Sequence, residues 1–255
     1  MAINGNGHDK DKESVVSFPT LAERDRIRKA KEAAELELRE KYKKERQGKK
    51  QPFFNSGKIP PLTRLIVIAF FVVQIPVYFL LDDAQRLQLF HTFGFVSAIY
   101  SGDVPWRMPA LVAPITHIFL HGGWMHIAFN TVMMLAMGVF TERTFGTRRM
   151  AIFFIFSGLC GVGLYYLFNM HATVPLIGAS GSISGLFAIT FYNLYEQGQL
   201  GPAGKRGPLP LIALWIALMV GTGLVSEDVA WIAHLGGFLG GLGLYHALRK
   251  KWISF

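Results

Sequence analysis

The chain has 255 residues, 51% of them hydrophobic, a formal net charge of +9 and one cysteine, Cys160. That balance is too apolar for an ordinary soluble domain, and a single cysteine excludes both a disulfide framework and a thiolate metal cluster. Nor is the charge a nucleic-acid footprint: 16 of the 26 Lys and Arg lie in residues 1–64, and the other 10 flank later apolar stretches, which is how membrane topology is encoded.

Residues 1–19 are polar and poor in large apolar groups, and are expected to form a disordered tail. They lack the apolar core of a signal peptide, and the acidic residues among the basic ones of the N-terminal region are unlike a transit peptide. From Thr20 the pattern changes. Thr20 with Glu23 forms a capping-box signature and Gly48 is a stop signal. Glu37 with Lys41 and Glu40 with Lys44 are favourable i,i+4 pairs. The pattern predicts a solvated, charged helix over 20–50, a cytoplasmic extension. Its apolar stripe (Leu21, Ile27, Leu36, Leu38) is thin, so a coiled coil or a surface amphipathic helix is the less favoured alternative.

Six apolar stretches follow, at 62–81, 118–140, 148–168, 180–195, 208–225 and 229–248. A span takes about 20 helical residues. The fourth is short, about 24 Å against a hydrocarbon core of about 30 Å. With the N-terminus inside, the inner segments carry 24 Lys and Arg and the outer loops two, Arg86 and Arg107. The positive-inside rule therefore predicts an all-α, polytopic bundle of six transmembrane helices with both termini cytoplasmic. The simple six-span core and the clean charge bias suggest a bacterial plasma membrane.

In that topology the fourth span starts at the outer side with Ser180. The sixth enters near Val229 and carries His234 five residues in. The second delivers His126 and Asn130, four apart and so on one face. Polar groups inside a membrane are costly, so such a cluster marks a functional site. A serine hydroxyl becomes a nucleophile when a neutral imidazole accepts its proton. A His N–H, an Asn amide and a backbone N–H at a helix start can hold the resulting oxyanion. Gly181 and Gly185 in the fourth span match Gly236/Gly240 and Gly237/Gly241 in the sixth, small-xxx-small pairs that allow close helix approach. "GASGS" is not the elbow of soluble hydrolases, because residue 182 is Ser.

At these residues the chain resembles the rhomboid intramembrane serine proteases. "HGGWMHIAFN" (121–130), "GASG" (178–181) and "AHLGGFLGG" (233–241) match in order and spacing, and "PWR" (105–107) and "ERTFG" (142–146) resemble further family segments. The likeness covers residues 60–250, the expected protease domain. It implies a serine endopeptidase that cuts transmembrane segments of single-span or polytopic membrane proteins within the bilayer. Ser180 would be the nucleophile and His234 its base. His126 and Asn130, with the Ser180 N–H, would form the oxyanion site, and Gly178, Gly181, Trp106 and Arg107 would support it. The active site would open to the outer face, with no metal and no cofactor. The loop 82–116 would be partly embedded beside the bundle, and span five would be a lipid-facing, loosely packed side gate. One departure stands out: many members carry an aromatic residue under the catalytic His, four after the nucleophile, where this chain has Ser184.

Other residues read as structural. Ser182 and Ser184 are expected to bond the carbonyl four residues back. His117 and His121 flank span two. On an unbroken helix His117 and His126 would face opposite ways, which argues against a metal site. His8, His91, His171 and His246 carry no partner signal, and Glu142 with Arg143 reads as a structural charge cluster at the inner face. Two other functions fit less well. One is a non-catalytic rhomboid-like scaffold or chaperone binding client transmembrane helices, which would have no need of both Ser180 and His234. The other is a transporter, which predicts an internal repeat that this sequence lacks.

Overall fold

The computed structural model describes residues 20–48 (backbone alone for 38–48), 59–200, 207, 209, 210, 212, 213, 215, 217, 230–251 and 253. The expected tail 1–19, the side chains of Lys41, Glu40 and Lys44, and most of the expected span 208–225 lie outside them. Two units separate, residues 1–55 and 56–255. The first contains α1 (Leu21–Gly48). Its start is a reciprocal capping box: the Thr20 N–H and hydroxyl donate to Glu23 Oε2 at 2.8 and 2.9 Å, and Glu23 N–H returns a bond to Thr20 Oγ1. Residues 21–37 are exposed on every face.

Among its described residues the regular structure of the second unit is helical, apart from one isolated bridge between Phe95 and Leu176. Helix α2 (Pro61–Leu80) begins with Pro61, whose missing N–H costs nothing at that position. Its buried residues, Thr63, Ile66, Phe70, Gln74 and Val77, recur every three or four positions and form one stripe. The opposite face exposes Leu65, Ile68, Val72, Ile75 and Phe79. An exposed apolar face of that extent suits lipid, not water. The helices α6 (Trp124–Phe145) and α7 (Thr147–Phe168) are joined at Gly146, whose φ of +85° favours glycine. Two further helices, α8 (Ser180–Glu196) and α9 (Trp231–Arg249), complete the described bundle. Among the described residues, α2, α6 and α7 are long and apolar enough to cross a membrane.

Glu142, near the end of α6, closes the bundle at the start of α2. Its carboxylate accepts from Leu62 N–H (3.0 Å), Thr63 N–H (2.7 Å), Thr63 Oγ1 (2.8 Å) and Thr147 Oγ1 (2.9 Å). It thus serves as a cap supplied from another helix for donors that α2 leaves unpaired. The structural reading of Glu142 is the observed one.

Segment 82–116 is more ordered than a loop. It holds α3 (Asp83–Phe93), α4 (Ser97–Ser101), a 3-10 turn (Met108–Leu111) and α5 (Ala113–Thr116). Val96, Ala98, Ile99 and Ala110 form a small core of their own, while Leu87, Trp106, Met108 and Leu111 are exposed. The helix expected to start at 118 starts at Trp124. Residues 117–119 form a separate 3-10 turn, and the Gly122–Gly123 pair, with Gly123 extended (φ 176°, ψ 170°), interrupts the chain. Glycine is a poor helix former, and two in succession end the continuity. His117 and His126 are therefore not on one helix.

Helices α7, α8 and α9 pack against one another. The two small-residue pairs of α9 divide the work. Gly237 and Gly241 meet the backbone of Gly181 and Gly185 on α8, whereas Gly236 and Gly240 meet Cys160, Gly161 and Leu164 on α7. The pairings 181–237, 185–241 and Asn193–Tyr245 advance together, so α8 and α9 run parallel. Their C-terminal ends are fastened by Tyr245 Oη, which donates to Glu196 Oε2 at 2.7 Å, and by Arg249 Nε on the same oxygen at 3.0 Å. Among the described residues of the expected fifth span, Trp215 is buried and stacks on Phe238 of α9 (centroids 4.4 Å apart). Trp215 is therefore packed on α9, whereas Leu209, Pro210, Ala213 and Ala217 of the same stretch are exposed.

Candidate active site

The parallel course of α8 and α9 brings their first turns together. Ser180 is the first residue of α8, and His234 lies in the first turn of α9. His234 Nε2 is 2.6 Å from Ser180 Oγ, hydrogen-bond distance between a base and the hydroxyl it would deprotonate. Three contacts make that separation possible. Gly181 sits against the carbonyl of Ala233, Gly161 of α7 sits against the same carbonyl, and Gly237 sits against the backbone of Gly181. The His234 ring is buried, and its Nδ1 has no protein partner.

The α6 contribution arrives beside this pair. His126 Nδ1 accepts from Gly122 N–H at 3.4 Å, which leaves the ring proton on Nε2. That nitrogen faces Gly178, where a Cβ would lie 2.7 Å from His126 Nε2 and 3.9 Å from Asn130 Nδ2. Gly178 has φ +112° and donates its N–H to the His117 carbonyl at 2.8 Å. Asn130 is buried, and its Nδ2 donates to His126 O at 3.0 Å, which uses one of two amide hydrogens. With the free N–H groups at the start of α8, the site holds several donors around one hydroxyl–imidazole pair. Such a constellation can activate a serine and stabilise an oxyanion.

Ser180, His234, His126, Asn130, Gly178 and Gly181 are thus brought together. Trp106 and Arg107 are not. Both are exposed on the 82–116 segment, and Trp106 makes an edge contact with Tyr100 (5.6 Å).

A model of the Rhomboid domain matches residues 106–251, more than half of the chain. The chain belongs to the rhomboid family. It is 31% identical over 155 residues to RHOMBOID-like protein 5 of Arabidopsis thaliana, a match covering 58% of this chain and 46% of that protein. It is 29% identical over 195 residues to Rhomboid protease GluP of Bacillus subtilis (strain 168), covering 74% and 34%. With Putative rhomboid protease YdcA of the same bacterium it shares 30% over 164 residues, covering 62% and 74%. The chain therefore spans less than half the length of the first two of these relatives. Family membership and the spanning helices make this an integral membrane protein of rhomboid type.

Against that family background, the other serines and histidines separate. Ser184 Oγ donates to the Ser180 carbonyl at 2.8 Å, the expected bond four residues back. It therefore does not reach His234 in place of the missing aromatic residue. Ser182 makes no such bond. Its buried hydroxyl has no protein hydrogen-bond partner and packs on Gly158 of α7. His117 and His121 are buried, His121 with its ring edge-on to those of Phe70 and His126. His171, read as an ordinary loop histidine, has a partner: its Nδ1 is 2.6 Å from Asp103 Oδ2. The Ser101 hydroxyl first, and His171 next, hold the Asp103 carboxyl below its ordinary range. Nothing at sequence spacing 68 signals that pair.

Proposed function

We propose that the chain is an intramembrane serine endopeptidase that cleaves transmembrane segments of membrane proteins with a Ser180–His234 dyad. The observation that carries this reading is the 2.6 Å approach of His234 Nε2 to Ser180 Oγ, in a site lined with donors. Ser180 Oγ attacks a backbone carbonyl of an unwound substrate segment while His234 accepts its proton. The tetrahedral oxyanion rests on His126 Nε2–H, Asn130 and the N–H of Ser180. His234 then protonates the leaving amine, and water attacks the acyl-enzyme with His234 again as base.

The topology that goes with this mechanism has six spans, both termini cytoplasmic, α1 on the cytoplasmic side and the site opening toward the outer face. The charge distribution supports it, since the N-terminal 64 residues carry most of the Lys and Arg. So does the geometry, because α6, α8 and α9 all contribute from their N-terminal ends.

The test is cleavage of single-span reporter substrates by the full chain in liposomes, with Ser180→Ala in parallel. Cleavage by the wild type and none by the variant is the expected result. Equal cleavage by both would remove Ser180 from the role. A folded wild type that binds reporters without cutting any of them would make the protein a client-binding scaffold.

A further inference from the structure

The segment that leads into Ser180, residues 169–179, is held by a part of the chain that supplies no proposed catalytic group. Phe95 N–H donates to Leu176 O at 3.0 Å, Leu176 N–H to Phe95 O at 2.8 Å, and Ala98 N–H to Ala172 O at 3.0 Å. Gly94 lies under the same segment, where a Cβ would meet Ile177 Cγ2 at 2.9 Å and Pro175 Cβ at 3.0 Å. Residues 94–98 thus form the mould on which 172–178 lies. Beyond this ladder stands the side-chain bond from His171 to Asp103 Oδ2, an oxygen that also accepts from Ser101 Oγ at 2.5 Å. Between the bond and the site, Thr173 and Val174 are exposed and add little packing.

We propose that Asp103 and His171 are positioning residues. They latch the 95–104 segment onto the 169–179 segment, and so keep Gly178 on His126 and Ser180 in line with His234. The proposal rests on the protease reading for its catalytic consequence, but the latch itself is a property of the two segments. The need for it is physical. Gly178 sits at φ +112°, a conformation that glycine adopts freely but must be held in to be useful. Segment 169–179 ends at the nucleophile, so slack in it is passed directly to Ser180. Catalysis is sensitive to displacements of about 1 Å. Both partners are well exposed, and exposed pairs are weak, so the latch tunes the site and does not build it.

The experiment uses the full chain in liposomes with Asp103→Ala, His171→Ala and the double variant. Three quantities are read: amide hydrogen exchange in 93–100 and 171–178, the rate of Ser180 acylation by a fluorophosphonate probe, and the thermal midpoint. Each single variant is expected to speed exchange several-fold in both segments and leave α7 and α9 unchanged. Acylation should slow by about two- to fivefold, in keeping with the weakness of exposed pairs. The double variant should match the single ones. Unchanged exchange in the two segments would overturn the latch. So would faster exchange throughout the bundle, or additive effects in the double variant. Absence of acylation in the wild type, together with the expected exchange changes, would overturn the protease reading and leave the latch standing.

Discussion

Gly237 on α9 lies directly on the backbone of Gly181 on α8, and a Cβ at 237 would come within 3.1 Å of the Gly181 Cα and closer still to its carbonyl carbon. Those are backbone atoms and cannot swing aside. Gly237→Ala must therefore push the two helices apart, and the proposed Ser180–His234 dyad sits one turn away. Overpacking of this kind costs about 1–3 kcal/mol. The expected result is a lower thermal midpoint in detergent and at least a tenfold loss of reporter cleavage. Gly163→Ala on α7 is the matched control, because a Cβ there meets nothing within 4 Å. Unchanged cleavage in Gly237→Ala would mean that the close approach of α8 and α9 is not what sets the dyad.

Glu142 offers a separate test of stability away from the site. Its carboxylate accepts four hydrogen bonds, two of them from the N-terminal amides of α2. Truncation strands those buried donors. Glu142→Ala is expected to lower stability by about 2–4 kcal/mol, since hydrogen bonds to charged groups are strong and orphaned donors add a penalty. Glu142→Gln, which keeps one acceptor oxygen, should lose less. A thermal melt of the two variants checks the order, and equal melting of Ala and wild type would sink it.

How far this architecture is legible in the sequence depends on the kind of contact. Apolar periodicity and glycine spacing expose the helices and the α8–α9 contact, because both are local patterns along one chain. Ser180 and His234 are legible for the same reason: each is a polar residue at the start of an apolar run. What the sequence hides is set by irregular backbone and distant pairing. The Gly122–Gly123 interruption delays α6 to Trp124 and takes His117 off the helix, although both residues fall within an apolar stretch. The division of Gly236/Gly240 from Gly237/Gly241 depends on how α9 is rotated, which no spacing specifies. The Asp103–His171 bond joins two loops that look unremarkable in isolation. Ser182 and Ser184 carry the same residue type two positions apart, yet one faces α7 and the other bonds within α8.

That difference between the two serines is itself testable. Ser184 loses one hydrogen bond to the Ser180 carbonyl when changed to Ala, a cost of about 1 kcal/mol. Ser182 has a buried hydroxyl without a protein partner, so Ser182→Ala breaks no hydrogen bond within the chain and should cost less than Ser184→Ala. Both variants are expected to keep cleavage within about threefold of wild type. Loss of activity in Ser182→Ala with an intact fold would indicate that its hydroxyl serves the reaction.

Acid should release the loop latch. The Asp103 carboxyl is held below its ordinary range by the Ser101 hydroxyl, from its own turn, and by His171, from the facing loop. A carboxyl lowered in the fold stabilises that fold above its ordinary range, and the contribution disappears as pH falls through the lowered value. The readout is the set of protection factors for residues 171–178, which are corrected for the intrinsic pH dependence of exchange. They should drop toward those of Asp103→Ala on acidification below the ordinary carboxylate range. A drop that appears equally in Asp103→Ala would assign the acid response to another group.

The proposed oxyanion site can be tested from two sides. His126 offers Nε2–H because its Nδ1 accepts from Gly122 N–H, and Gly178 leaves the space that this N–H faces. Removing the donor and filling the space should therefore have the same chemical consequence by different routes. Loss of one oxyanion donor costs about 10²–10³ in kcat, so His126→Ala is expected to fall in that range with KM little changed, since the oxyanion forms after substrate binds. Gly178→Ala places a Cβ 2.7 Å from His126 Nε2 at a φ of +112°, which is strained for any residue but glycine. It should lose at least as much activity and also melt earlier, whereas His126→Ala loses activity out of proportion to stability. Single-turnover kinetics with a fluorophosphonate and with a cleavable reporter separate the two cases. If His126→Ala raised KM and left kcat intact, the side chain would be binding substrate rather than the oxyanion, and the donor set would have to be rebuilt around Asn130 and the N–H groups at the start of α8.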